Sequence, residues 1–83
     1  MQIILKLYAT LSEYLPPVAV SNTVPLVVAE NASVEVVIEQ LRLPRELVHL
    51  VLVNGVYVGP EQRFTAELKD GDALAIWPPV AGG

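Results

Sequence analysis

The sequence predicts an α+β domain: a mixed sheet of four to five strands with one main helix packed on one face. Three observations lead there. Short apolar runs with strand-like patterning lie at both ends of the chain and in its second half. One segment between them repeats its apolar residues at helical spacing instead. With 83 residues the chain forms one domain, near the lower end of what folds alone.

The first run, Gln2 to Tyr8, reads as a strand, with Ile3, Leu5 and Leu7 on one face and Gln2, Lys6 and Tyr8 on the other. Ala9 to Thr23 is a long connection in which Thr10–Leu15 can form a short helical turn. Pro16-Pro17 stops any regular element there. Val24 to Glu30 reads as the second strand, and Pro25, which lacks a donor, suits an edge or a strand start.

Asn31 and Ser33 offer helix N-caps. Val34, Val37, Ile38 and Leu41 then follow at i, i+3, i+4 and i+7, one apolar stripe on a helix. Glu35 in its first turn and Arg42 in its last suit the helix dipole, and Pro44 ends it near Arg42 or Leu43. His49 to Asn54 is a third strand, with Val51 and Val53 on one side and Leu50 and Leu52 on the other. Asn54-Gly55 is a tight-turn signal leading to a short returning strand, Val56 to Val58. Pro60 to Lys69 reads as irregular structure around Phe64 and Leu68. After the Asp70-Gly71 turn, Ala73 to Trp77 forms the last strand. Leu74 and Ile76 share one of its faces, and Ala73, Ala75 and Trp77 the other. A single helix covers only one sheet face, which leaves Leu50, Leu52 and Trp77 for the uncovered one.

Composition narrows the function classes. There is no cysteine, which excludes disulfides, zinc-thiolate sites and a thiol nucleophile and favours an intracellular, cytoplasmic setting. The charge of −4 comes without any basic cluster, so a nucleic-acid partner is not expected. No apolar run approaches the roughly 20 residues that span a bilayer, so no membrane partner is expected, and Met1–Tyr8 is too short for a signal sequence. Apolar residues make up 53% of the chain, more than so small a domain buries efficiently, which points to an exposed apolar patch for a protein partner.

Side chains suited to catalysis are sparse. His49, the single histidine, has no cysteine or acidic pair near it in sequence and reads as a surface or structural residue. Asp70 and Asp72 flank a glycine after Lys69 and read as a solvated turn. Ser12, Ser21 and Ser33 have no adjacent histidine.

The remaining signal is the end of the chain. Residues 1–77 form the predicted domain, and Pro78-Pro79-Val80-Ala81-Gly82-Gly83 an extended, flexible tail. Pro78-Pro79 cannot continue a central strand. Six extended residues reach roughly 20 Å. Gly82 and Gly83 lack Cβ atoms and can enter a channel too narrow for other residues.

This ending resembles a known family. Leu68-Lys69-Asp70-Gly71-Asp72-Ala73-Leu74-Ala75-Ile76-Trp77-Pro78-Pro79-Val80-Ala81-Gly82-Gly83 is similar to the end of the ubiquitin-like sulfur carriers (MoaD/ThiS-like). Within that family it is nearest to the molybdopterin synthase small subunits. Leu7-Tyr8-Ala9-Thr10-Leu11-Ser12-Glu13-Tyr14 resembles their first strand and following turn, and Val53-Asn54-Gly55 their central turn. Trp77 stands where Phe or a smaller apolar residue is usual, and Ala73-Leu74 replaces an acidic–Val pair.

The resemblance implies a β-grasp fold and a carrier that is not an enzyme by itself and binds no cofactor. It implies that a ubiquitin-activating-type enzyme adenylates Gly83 with ATP. A sulfur donor then leaves a thiocarboxylate there. Gly82 would give the tail access. Trp77, Pro78, Pro79, Val80, Ala81, Phe64 and Leu52 would meet the partner, a molybdopterin synthase large subunit joined in a heterotetramer. Sulfur transfer for thiamine or tRNA thiolation, covalent modification of proteins and a non-covalent binding module are the alternatives.

Overall fold

The chain's first and last strands meet at the centre of one sheet. In the computed structural model, which describes residues 1–79, β1 (Gln2–Leu7) is followed by β2 (Thr23–Val27), α1 (Val34–Leu41), β3 (Leu50–Val53), β4 (Val56–Tyr57) and β5 (Ala73–Trp77). Short 3-10 turns occupy Ala9–Tyr14, Arg45–Leu47 and Gln62–Phe64. The five strands are ordered β2-β1-β5-β3-β4. β1 and β5 are parallel, and the other pairs antiparallel. A parallel pair needs a long crossover, and the chain between β1 and β5, α1 included, supplies it.

The alternation read from the sequence is the alternation observed. Ile3, Leu5 and Leu7, Leu74 and Ile76, Val51 and Val24 are buried on the face that α1 covers with Val34, Val37 and Ile38. Leu41 packs half-buried against this core. Pro25 lies in edge strand β2, where a missing donor is tolerated. Several predicted strands run long by one to three residues. β2 ends at Val27, and Val28 adds one more pair of bonds to Met1 in the same register, its N–H donating to the Met1 carbonyl and its carbonyl accepting from the Met1 amine, both at 2.9 Å.

Ser33 caps α1, its Oγ accepting from Val36 N–H at 3.2 Å. Asn31 is instead a left-handed turn residue, φ 62°. Arg42 is not in the last helical turn as expected. It adopts φ 56° and ends the helix, Leu43 N–H returning to the Ile38 carbonyl at 3.2 Å. Pro44 disfavours a helical conformation at Leu43, so the chain reverses one residue earlier.

Glu35 is buried beside the apolar stripe and forms an ion pair with Arg45. The contact lacks hydrogen-bond alignment, whereas Arg45 Nη2 donates to Glu39 Oε1 at 3.4 Å. Replacing Arg45 with Ala strands the Glu35 carboxylate. A buried pair broken this way costs several kcal/mol, but Arg45 is 55% exposed, so about 1–3 kcal/mol is expected. A lowered urea midpoint checks this, with partial recovery in the Arg45→Ala/Glu35→Gln double variant.

Asp70 and Asp72 form the predicted turn. Asp72 accepts from Lys69 N–H (2.8 Å) and Asn54 Nδ2 (2.9 Å), and Asp70 from Gln2 N–H (2.8 Å). Asn54 Oδ1 accepts from Ala73 N–H at 2.9 Å, so the turn is tied to the start of both central strands and to the β3–β4 hairpin.

Candidate functional site

The site is built where β5 ends. This strand lies between β1 and β3, so its backbone is held from both sides up to its last residues. Tyr8 N–H donates to the Ile76 carbonyl at 3.2 Å, and His49 N–H to the Trp77 carbonyl at 3.1 Å. Pro78 is buried and Pro79 exposed, so the packed domain continues one residue into the predicted tail. Val80, Ala81, Gly82 and Gly83 lie outside the described residues.

Trp77 faces away from α1, as its alternation with Leu74 and Ile76 requires. Its indole stacks on the Tyr8 ring with centroids 4.4 Å apart and planes 7° apart. Ala9 follows at φ 52°, a conformation unfavourable to a residue with a Cβ, and swings the chain into the 3-10 turn directly after Tyr8. The stack gives the root of the tail a rigid aromatic wall.

The register spreads this wall into a surface. Lys6, Ala75, Leu52 and Tyr57 pair in sequence across β1, β5, β3 and β4, and Leu50 pairs with Trp77. Ile4 and Ala73 form the neighbouring row. On this open face small alanines on β5 separate larger side chains on β1 and β3. Lys6 is the one charged side chain that the described strands place there. Leu52 and Trp77 are thus brought together as predicted. Phe64 is not: its 3-10 turn packs against α1, on the other side of the sheet, where the ring is 66% exposed.

His49 is exposed just before β3. Among the described residues no three His, Cys, Asp or Glu side chains cluster to hold a metal. A shallow hollow lined by Gly59, Pro60, Glu61 and Gln62 includes none of the open-face residues. No described helix is long and apolar enough to cross a membrane. The geometry therefore offers an open apolar sheet face and an anchored exit for the chain.

The sequence reading missed Tyr8 as the partner of Trp77 and Lys6 as the charge on the open face. Period-two alternation placed both on one side of β1, but the parallel pairing that sets them beside β5 has no local signature.

The model of the ThiS family matches residues 5–83. The chain belongs to the ThiS family. Its ubiquitin-like β-grasp fold, with the parallel pair at the centre and one main helix on one face, agrees with this membership. Among solved structures, the Haloferax volcanii HVO 2177 protein is similar with 29% identity and a TM-score of 0.78, over 100% of this chain and 87% of that one. SAMP1 from Haloferax volcanii is 28% identical with a TM-score of 0.69, all of both chains being covered. A chain from the complex of subunits 1 and 2 of the Helicobacter pylori molybdopterin-converting factor has the same fold. There the identity is 18% and the TM-score 0.60, again over the whole of both chains. No curated protein matches this ThiS-family chain.

Proposed function

We propose that this ThiS-family chain is a sulfur carrier for molybdopterin synthesis and acts as the small subunit beside a larger catalytic subunit. The observation that carries the reading is the anchored exit of β5: the chain leaves the domain from a central strand, braced by the Tyr8–Trp77 stack, next to an uncovered apolar face. Such a domain suits a partner that grips the face and takes up the segment beyond it. In this reading the Gly83 carboxylate attacks the α-phosphorus of ATP in an activating enzyme, releasing pyrophosphate. A sulfur donor then attacks the acyl carbon, AMP leaves, and a thiocarboxylate remains. Gly82 keeps the approach open. Trp77, Leu52 and the tail residues Pro78, Pro79, Val80 and Ala81 meet the partner. The Helicobacter pylori relative, a complex of subunits 1 and 2 of the molybdopterin-converting factor, supports a heteromeric assembly.

A second reading has its own support. SAMP1, similar over its whole length, is named a small archaeal modifier protein, which favours covalent attachment to other proteins through Gly83. Both readings share the adenylated intermediate and differ in the nucleophile that follows.

Intact-mass analysis separates them. The chain is incubated with ATP, a sulfide source and the adenylating enzyme of the same genome. A gain equal to sulfur replacing oxygen, lost when Gly83 is deleted, is the expected result. Lysine-linked adducts without that gain favour the modifier. No change, with an enzyme active on another carrier, rejects both.

A further inference from the structure

Arg63 is a buried cation that the proposed function leaves without a task. It is 9% exposed, in the 3-10 turn Gln62–Phe64. No carboxylate pairs with it among the described residues. Its Nη2 donates to the His49 carbonyl at 3.1 Å and its Nη1 to the Val48 carbonyl at 3.5 Å, while Nε has no acceptor. Burying a guanidinium against carbonyls alone is costly, and an apolar side chain would fill the same space without that cost.

What the guanidinium holds is the segment that holds the end of β5. The residue it grips, His49, donates its own N–H to the Trp77 carbonyl at 3.1 Å. That is the last backbone hydrogen bond described along β5 before the tail. Pro78 and Pro79 have no N–H, so neither can donate a backbone hydrogen bond that would set its own direction. Proline also fixes φ, so the course of the chain beyond Trp77 depends on ψ of Trp77, which sets where its carbonyl points. Leu50 already pairs with Trp77 in the β3–β5 ladder; the His49 N–H adds a further bond to the Trp77 carbonyl, and Arg63 holds His49.

We propose that Arg63 is a positioning residue that sets the direction in which the chain leaves β5, acting through His49 on the Trp77 carbonyl. Its importance for activity rests on the reading that a partner takes up the segment beyond Trp77. The clamp itself does not depend on that reading.

Native-state hydrogen exchange tests the clamp without any partner. The Asn54 N–H, bonded to the Ala73 carbonyl at 2.8 Å, lies at the far end of the same β3–β5 ladder and serves as reference. In Arg63→Met, His49 N–H protection is expected to fall at least tenfold relative to Asn54. Arg63→Lys keeps one donor group in place of the two-pronged guanidinium and should fall between that variant and the parent protein. It also serves if Arg63→Met does not fold. Equal loss of protection at both amides would mean that Arg63 only stabilises the domain, and would overturn the proposal. So would unchanged protection at His49. In the mass assay with the adenylating enzyme, the variants should lower kcat several-fold with KM within twofold, because the open face is intact. If the parent protein is not loaded at all, the sulfur-carrier reading fails, and the exchange result still decides the role of Arg63.

Discussion

Leu5→Ala is expected to remove about 3–4 kcal/mol of unfolding free energy. Leu5 has no solvent exposure, lies in β1 at the centre of the sheet, and pairs with Val24 on one side and Leu74 on the other. Both neighbours are themselves buried in regular strands, so the space left by the isobutyl group cannot collapse freely. At roughly 0.05–0.15 kcal/mol per residue, a chain of 83 residues has about 4–12 kcal/mol in total, so the loss is a quarter or more of it. Urea unfolding followed by far-UV circular dichroism and by Trp77 fluorescence measures it. Leu52→Ala removes the same atoms from the half-buried open face and should cost about 1 kcal/mol. Equal losses at the two positions would contradict the assignment of core and open faces.

The contrast between those leucines was legible in the sequence, because period-two alternation is a property of the strand itself. Ile3, Leu5 and Leu7 against Lys6 and Tyr8, and Leu74 and Ile76 against Trp77, could each be read without knowing any neighbour. The Ser33 cap, the Pro25 edge and the Asn54-Gly55 turn were legible for the same reason, since each satisfies or relieves its own backbone. The exchange of hydrogen bonds between Asn54 and the Asp72 turn was not, for it joins residues 18 apart in sequence. Arg42 was misplaced in the final helical turn because charge near a helix end suggests a dipole partner, whereas the chain needed a left-handed stop before Pro44. Its place near the helix N-terminus explains Glu35 in sequence terms, but its burial depends on Arg45, which arrives from beyond that stop.

The proposed site divides in the same way. The pattern of the tail pointed to Gly82 and Gly83, and alternation put Leu52 and Trp77 on the uncovered face. The strand register then brought in Lys6 and Tyr8, and a non-local pair of hydrogen bonds brought in Arg63. Phe64 shows the limit of judging by residue type. It is large, aromatic and exposed, yet it lies with α1, because the turn carrying it crosses to the helix side between β4 and β5.

That separation makes partner docking a sharp test. Leu52→Glu places a carboxylate on the open face in β3, next to the edge strand β4 and beside Ala75 and Tyr57. In the free protein the new charge remains solvated, since Leu52 is only half-buried, and stability should fall by about 1–2 kcal/mol, little more than for Leu52→Ala. In a complex it would be desolvated against an apolar partner surface, and a penalty of about 3 kcal/mol weakens binding roughly 100-fold. Trp77 is the chain's only tryptophan and lies on the same face, so its fluorescence reports titration with the proposed large-subunit partner directly. Phe64→Ala is the companion variant, expected to bind within about twofold of the parent. If Leu52→Glu binds normally and Phe64→Ala does not, the partner approaches over the helix side and the open face loses its assigned role. The expected pattern instead places the partner on the sheet beside Trp77, at the end of β5 where the described chain continues toward the tail.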